Sequence, residues 1–382
     1  MELKKIIVLW ITVFFSASMA LCFLGSIDDI SKDFSISLSL SGQISSVYAL
    51  SFAILGPGLI KVFGKFSYKI SILTSVIFLL FSNLLIAYIH DIKVFFIIRI
   101  ISAGIASFLI TKCFGYITEF SSLKKVGKNL GILYSAFAAA NTFLIPTYSH
   151  ISNNFGWRVV PQLLSASFIF VVILTVYCIE FDDFFIKNKI DCCDDYSKIE
   201  WYRNIEVIML LFTTICILGS NMIFMGYIDP FLKNNGNNSV SIVLFIFGVG
   251  GILGSYISSK ISNKCSEKKG LKIILIVYTL LLPIIYIFKN IYILSFLIFL
   301  WSVIQWASGP MIQKMLINKS RNNRESEKLL SLNMSFINFG ISLGGILGGV
   351  AIKYSIQKLP LFAMSMAVLP ILTNMCIRNK KE

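Results

Sequence analysis

Arg99 lies inside FFIIRIISAGIASFLITK, residues 95 to 112, an apolar run that holds no acidic residue. A guanidinium in such a place costs about 2.5–3.5 kcal/mol on insertion scales and stays charged, so it must face an aqueous path, a cavity or a polar partner. It falls about six residues into its run, roughly 9 Å along a helix. Snorkelling to the outer interface, bonding to a neighbouring helix's carbonyls and direct binding of an anionic substrate are the roles open to it. Lys112, near the other end of the same run, is expected to snorkel to the membrane surface.

Carrying protons across a bilayer requires a group whose pKa responds to exposure, normally a desolvated carboxylate. No Asp or Glu falls deep in any apolar run; Asp28, Asp29 and Asp33 follow the first run and Asp229 the seventh. Asp29 and Asp229 are the candidate proton-coupling acids. Three options stay open: coupling through one of these acids, uniport without coupling, and direct binding of an anionic substrate by Arg99. Uncharged polar groups at mid-run, Tyr48, Asn141, Asn221, Tyr227, Gln305, Trp306, Asn333 and Asn338, are the candidate substrate contacts beside Arg99. Hydrogen bonding to an adjacent helix explains each of them as well as substrate contact does. Gln305 and Trp306, central in their run and followed by ASGP, are the stronger pair.

The residue inventory argues against catalysis. His90 and His150 sit at ends of runs without metal-ligand spacing or a nucleophile nearby, and no phosphate-cradling Gly-Lys-Ser/Thr loop exists. The adjacent Cys192 and Cys193 of DCCDD lack the usual ligand spacing. The chain is read as a non-enzyme with no cofactor and no metal site.

The elements that position these residues are set by hydropathy. Of 382 residues, 56% are hydrophobic, and mean hydropathy is +0.80. That is far more apolar surface than a soluble chain can hide, and it makes the bilayer the solvent. The net charge of +15 sits in short segments between apolar runs. An anionic lipid face is therefore its partner, and nucleic acid is not. Runs long enough to cross about 30 Å of hydrocarbon lie near 6–27, 40–60, 70–89, 93–117, 130–150, 159–180, 204–227, 239–260, 270–288, 291–315, 329–351 and 358–378. Each must be helical, since lipid satisfies no open backbone. The first run follows Lys4 and Lys5 like a secretory signal, but its apolar stretch exceeds a signal core and it is taken as a membrane helix.

With both ends of the chain in the cytosol, basic residues divide 25 inside to 7 outside, as the positive-inside rule asks. The expected location is the cytoplasmic membrane. Residues 181–203 form the one long polar break, so residues 1–180 and 204–382 are expected to be two six-helix bundles joined by a cytoplasmic linker. Basic hairpins echo each other after the second and eighth runs, in GLIKVFGKFSYK and GSYISSKISNKCSEKK. Such weak internal symmetry is the mark of a transporter built from repeats. Small residues recur at helical spacing in the second, eighth and eleventh runs: Gly42, Ser45, Ala49, Ala53 and Gly56; Gly248, Gly251 and Ser255; Gly340, Gly344 and Gly348. Backbones can approach closely along such faces.

FLGSIDDISKDFSISLSLSGQISSVYALSFAILGPGLI, FGWR at 155–158, GYIDPFLKNNG at 226–236, FGVGGILGSYISSKISNK and SLNMSFINFGISLGGILGG are five telling stretches. They resemble the major facilitator superfamily, closest to its drug:proton antiporter branch with sugar and nucleoside efflux permeases. The resemblance implies an all-α membrane protein of twelve transmembrane helices in two six-helix bundles. It also implies proton-coupled export of a small organic or drug-like solute, bound between the halves, by a monomer. In RIISAG, Arg99 stands where the family's fourth span carries an arginine implicated in proton coupling and in cavity contacts. The conformational hairpins depart from the family pattern: Gly64 and Lys65, and Asn263 and Lys264, stand where an aspartate-bearing motif is expected, and Leu144 and Tyr148 replace glycines near Pro146. Metabolite uptake, uniport and a transporter-like receptor that binds without moving its solute are the alternatives.

Overall fold

The computed structural model describes residues 3–64, 66–121, 126–179, 204–237, 239–264, 267–319 and 323–378. Its helices are α1 Leu3–Ser18, α2 Ile27–Asp33, α3 Leu38–Phe63, α4 Tyr68–Tyr88, α5 Ile92–Phe120, α6 Val126–Ala139, α7 Ile145–Phe155 and α8 Val159–Cys178. They continue as α9 Ile205–Met225, α10 Ile228–Asn234, α11 Val240–Lys264, α12 Glu267–Ile287, α13 Ile291–Ile317, α14 Asn323–Tyr354 and α15 Leu359–Arg378. Among the described residues, nine helices are long and apolar enough to cross a membrane. Many of their Phe, Ile and Leu side chains are exposed, among them Phe81, Ile97, Phe170 and Ile273. In water such a surface would aggregate; in a bilayer it is the solvated face.

Chain contacts define two compact units, one of Met1–Phe34 with Val47–Lys198, the other of Ser35–Ser46 with Ile199–Glu382. In the first unit α1 packs on α5, α6 and α8, and α4 on α5 and α8. In the second, α9 packs on α13, α14 and α15, and α11 and α12 pack on α13.

Two expected spans are not single straight helices. The run at 6–27 breaks after Ser18, where seven residues in turns, 19–25, precede the short α2. The run at 130–150 is α6, a π-helical turn over Ala140–Leu144 that contains Asn141, and then α7 with Pro146 in its first turn. Proline lacks the amide that would continue an α-helical ladder, and a wider turn absorbs the mismatch.

Lys112 departs from the expected snorkelling. It is 5% exposed, and its Nζ donates to the carbonyl oxygens of Gly64 (2.8 Å) and Phe66 (2.9 Å). Tyr68 and Phe108 flank the ammonium with their rings. The reason is local: the carbonyls of Gly64 and Phe66 lie just past the end of α3, outside its hydrogen-bond ladder and beside the negative end of its dipole, so a nearby cation is better placed there than in water. Lys112→Met should lower the unfolding free energy by about 1.5–3 kcal/mol, the range for hydrogen bonds to charged groups. Thermal unfolding in a fixed detergent–lipid mixture measures this, and an unchanged midpoint would show that the two carbonyls find other donors.

Candidate functional site

Arg99 is completely buried in the first unit. Its Nη2 donates to the carbonyl of Met19 at 2.7 Å, and Nη1 lies 4.0 Å from Sγ of Cys22. The guanidinium stacks over the ring of Tyr48, 4.2 Å from its centroid, and lies 5.3 Å from that of Phe23. This arrangement follows from the break in the first run. Once α1 stops at Ser18, the carbonyl of Met19, just past its end, is left outside the helical ladder and turns toward the cation. A straight helix over 6–27 would have consumed that acceptor internally. The aromatic faces add cation–π attraction, about 2 kcal/mol where desolvated. Among the described residues no carboxylate pairs with Arg99.

The acids occupy different environments. Asp33 accepts from Trp157 Nε1 at 2.9 Å and from Arg158 Nε at 3.1 Å, while Arg158 Nη1 donates to the carbonyls of Ala87 and Ile89. The FGWR stretch thus ties α2, the end of α4 and the start of α8 together around one carboxylate. Asp28 pairs with Lys32 at 2.7 Å. Asp229, expected at the end of a run, is completely buried in the second unit and pairs with Lys233 at 3.1 Å.

The two ion pairs expose a repeat that the hairpin comparison did not reach. Phe23, Gly25, Ile27, Asp28 and Lys32 are matched at identical spacing by Phe224, Gly226, Ile228, Asp229 and Lys233. Each set runs through a helix break into a seven-residue helix with the same i,i+4 Asp–Lys pair. Asp28, not Asp29, is therefore the counterpart of Asp229. An ungapped comparison of the two halves at an offset of 201 positions would have found it. Interrupted helices at matching places in two repeats are the best local pointer to a transport site.

In the second unit, Asn221 Nδ2 donates to Gln305 Oε1 at 2.7 Å and Thr214 Oγ1 to Asn333 Oδ1 at 2.9 Å. Asn338 bonds within its own helix, to the carbonyl of Met334. The Tyr227 hydroxyl donates to the carbonyl of Gly345 at 3.1 Å, and its ring fills a slot bounded by Gly42 and Gly348, where a Cβ would strike it. Trp306 lies against Gly251, and its buried Nε1 has no partner among the described residues. Asn141, in the π turn, is half-buried. The structure thus joins Asn221 to Gln305 and Tyr48 to Arg99. It leaves Asn141 and Asn338 apart from those pairs. Gly64 is the carbonyl that Lys112 holds; Lys65 lies outside the described residues, and Asn263 and Lys264 are described only as backbone of α11.

Helices suited to lipid, broken at equivalent places and carrying buried, mutually bonded polar groups, define a multi-pass integral membrane protein of the transporter class. The family model of the Major Facilitator Superfamily matches residues 9–189 and 210–377, and the chain belongs to that family. Its members are transporters, not enzymes. The chain is 24% identical to the uncharacterized MFS-type transporter YbcL of Bacillus subtilis, over 91% of this chain and 89% of that one. It is 23% identical to a probable sugar efflux transporter of Mannheimia succiniciproducens, over 86% and 82% of the two chains. The fold is also that of a D-xylose–proton symporter (TM-score 0.77, 15% identity, 97% of this chain and 96% of the other). A nucleoside transporter, NupG, shares it as well (TM-score 0.79, 13% identity, 98% and 99%).

Proposed function

We propose that this chain is a twelve-span secondary transporter that exports a small organic solute across the cytoplasmic membrane in exchange for protons, by alternating access. The observation that carries the reading is the family match on both sides of the central polar break, over 9–189 and 210–377. Export is supported by the relative named as a probable sugar efflux transporter. The functional halves are residues 1–180 and 204–382 with 181–203 as linker, and the 25-to-7 bias of basic residues supports both ends of the chain in the cytosol. Twelve spans follow if α1 with α2, α6 with α7, and α9 with α10 are each counted as one interrupted crossing.

Buried polar groups at helix breaks supply the two things that such transport needs, hydrogen-bonding capacity in a dry environment and backbone that can rearrange. Coupling is assigned to Arg99 with Asp229 or Asp29. Asp229 is the better acid of the two, because it is the one removed from solvent.

The test is solute flux in proteoliposomes with and without a pH gradient, across a panel of sugars, nucleosides and hydrophobic amines, with an internal pH dye. Solute should drive proton movement in the opposite direction. In Arg99→Ala that movement should fall at least about tenfold, equivalent to ~1.4 kcal/mol. Unchanged proton movement in the variant removes Arg99 from coupling. Co-directional movement of solute and protons would make the chain an uptake carrier, and binding without flux would make it a receptor.

A further inference from the structure

Arg99 carries a full charge that no carboxylate among the described residues neutralises. Of its five N–H donors, one makes a short hydrogen bond, to Met19, and a second approaches a sulfur at 4.0 Å. Nε is buried with no partner among the described residues, and so is the hydroxyl of Tyr48, whose ring lies beneath the same guanidinium. Two polar groups on adjoining side chains, both from fully buried residues, are thus left unsatisfied at one place. Native interiors rarely tolerate this without a reason, because each orphan forfeits its hydration. The Met19 carbonyl explains why a cation can sit here, but it leaves the charge uncancelled and Nε and the Tyr48 hydroxyl idle. A planar anion satisfies all of these at once: its oxygens accept from the guanidinium and the hydroxyl, and its charge supplies the counter-ion.

We propose that Arg99 and Tyr48 form the recognition site for a carboxylate on the transported solute, so that the substrate class is organic monoanions. This rests on the transport reading above and narrows it. It also gives the phenol a task that no neighbouring side chain performs, as hydrogen-bond donor to the second carboxylate oxygen. Neutral sugars and nucleosides would then be poor substrates, however similar in shape.

The experiment uses matched pairs that differ in one charged group: benzoate and benzamide, nicotinate and nicotinamide, D-glucuronate and D-glucose, lactate and lactamide. Thermal shifts of the full chain in lipid nanodiscs are read at constant ionic strength, followed by counterflow of radiolabelled compounds in proteoliposomes. At least one carboxylate should raise the midpoint of the wild type while its neutral partner does not. Arg99→Gln should abolish that difference and melt, without ligand, at or above the wild-type temperature, because a buried unpaired charge has been removed. Arg99→Lys should retain part of the shift, and Tyr48→Phe, which keeps the ring, should weaken carboxylate affinity about five- to tenfold, the effect of one hydrogen bond.

Equal shifts from both members of every pair, a carboxylate shift that survives in Arg99→Gln, or no shift from any carboxylate overturns the proposal. A ligand-free Arg99→Gln protein that melts far below the wild type also counts against it, since that result makes the arginine a structural cap of α1. The transport reading fails differently. Charge-selective binding without counterflow refutes transport and leaves the anion site standing, whereas counterflow of the neutral partners alone refutes the anion site and leaves transport standing.

Discussion

Trp301→Ala should be the most destabilising single truncation in the second unit, costing about 3–5 kcal/mol, the range for emptying a fully buried Trp site. Trp301 is completely buried on α13 and gathers three other helices about itself. It stacks on Tyr278 of α12 at 5.2 Å and meets Phe224 of α9 and Phe247 of α11 at 5.7 Å and 6.1 Å. Because the surrounding rings are held by separate helices, they cannot close the cavity without moving backbones already in contact, so relaxation recovers little. Trp301→Phe should retain roughly half of the stability, since it keeps ring contacts at smaller volume. Thermal unfolding of the three proteins in one detergent–lipid mixture tests the order; a Trp301→Ala midpoint equal to that of the wild type would mean that this aromatic cluster does not hold the helices together.

The second large effect is a change of sign between two chemically identical substitutions. Gly58→Ala should stabilise the chain by up to about 1 kcal/mol, because a helical glycine gives way to the best helix former, and a Cβ there meets nothing within 4 Å. Gly344→Ala should destabilise it by about 1–3 kcal/mol, the usual cost of overpacking. A Cβ at Gly344 would stand 2.6 Å from Cα of Gly219 and would also strike that residue's carbonyl oxygen. Both atoms are backbone, so nothing can swing aside; α9 and α14 must separate. In a bilayer, where van der Waals contact between helices replaces much of the hydrophobic drive, such a separation weakens their association directly. Should both variants melt alike, the close approach of α9 and α14 would not be the energetic reason for the glycine.

This pair of glycines also shows where sequence reading stops. Both sit in small-residue stretches, and one stripe looks like another until the partner backbone is known. The stripe of α14 could be recognised as a close-packing face, whereas which of its glycines touches backbone and which touches the ring of Tyr227 depends on residues more than a hundred positions away. The hairpin after α3 is similar. Its missing aspartate was plain in the sequence, but nothing in the sequence placed the Lys112 ammonium on the carbonyls of Gly64 and Phe66, 48 and 46 positions earlier.

Arg99 divides the two kinds of information most clearly. Sequence alone established that the chain lives in lipid, roughly where its apolar runs fall, which way the charge bias points, and that one arginine in the fourth run needed an explanation. Those are properties of single segments: hydropathy and charge act on a stretch of chain whatever it packs against. Tertiary structure alone decided what surrounds that arginine. It broke the first run at Ser18, turned the carbonyl of Met19 to a guanidinium 80 positions away, and laid Tyr48 beneath it. The physical reason is that an apolar run of sufficient length is consistent with a straight helix, and a break becomes favourable only when a partner on another helix takes up the carbonyl that the break sets free.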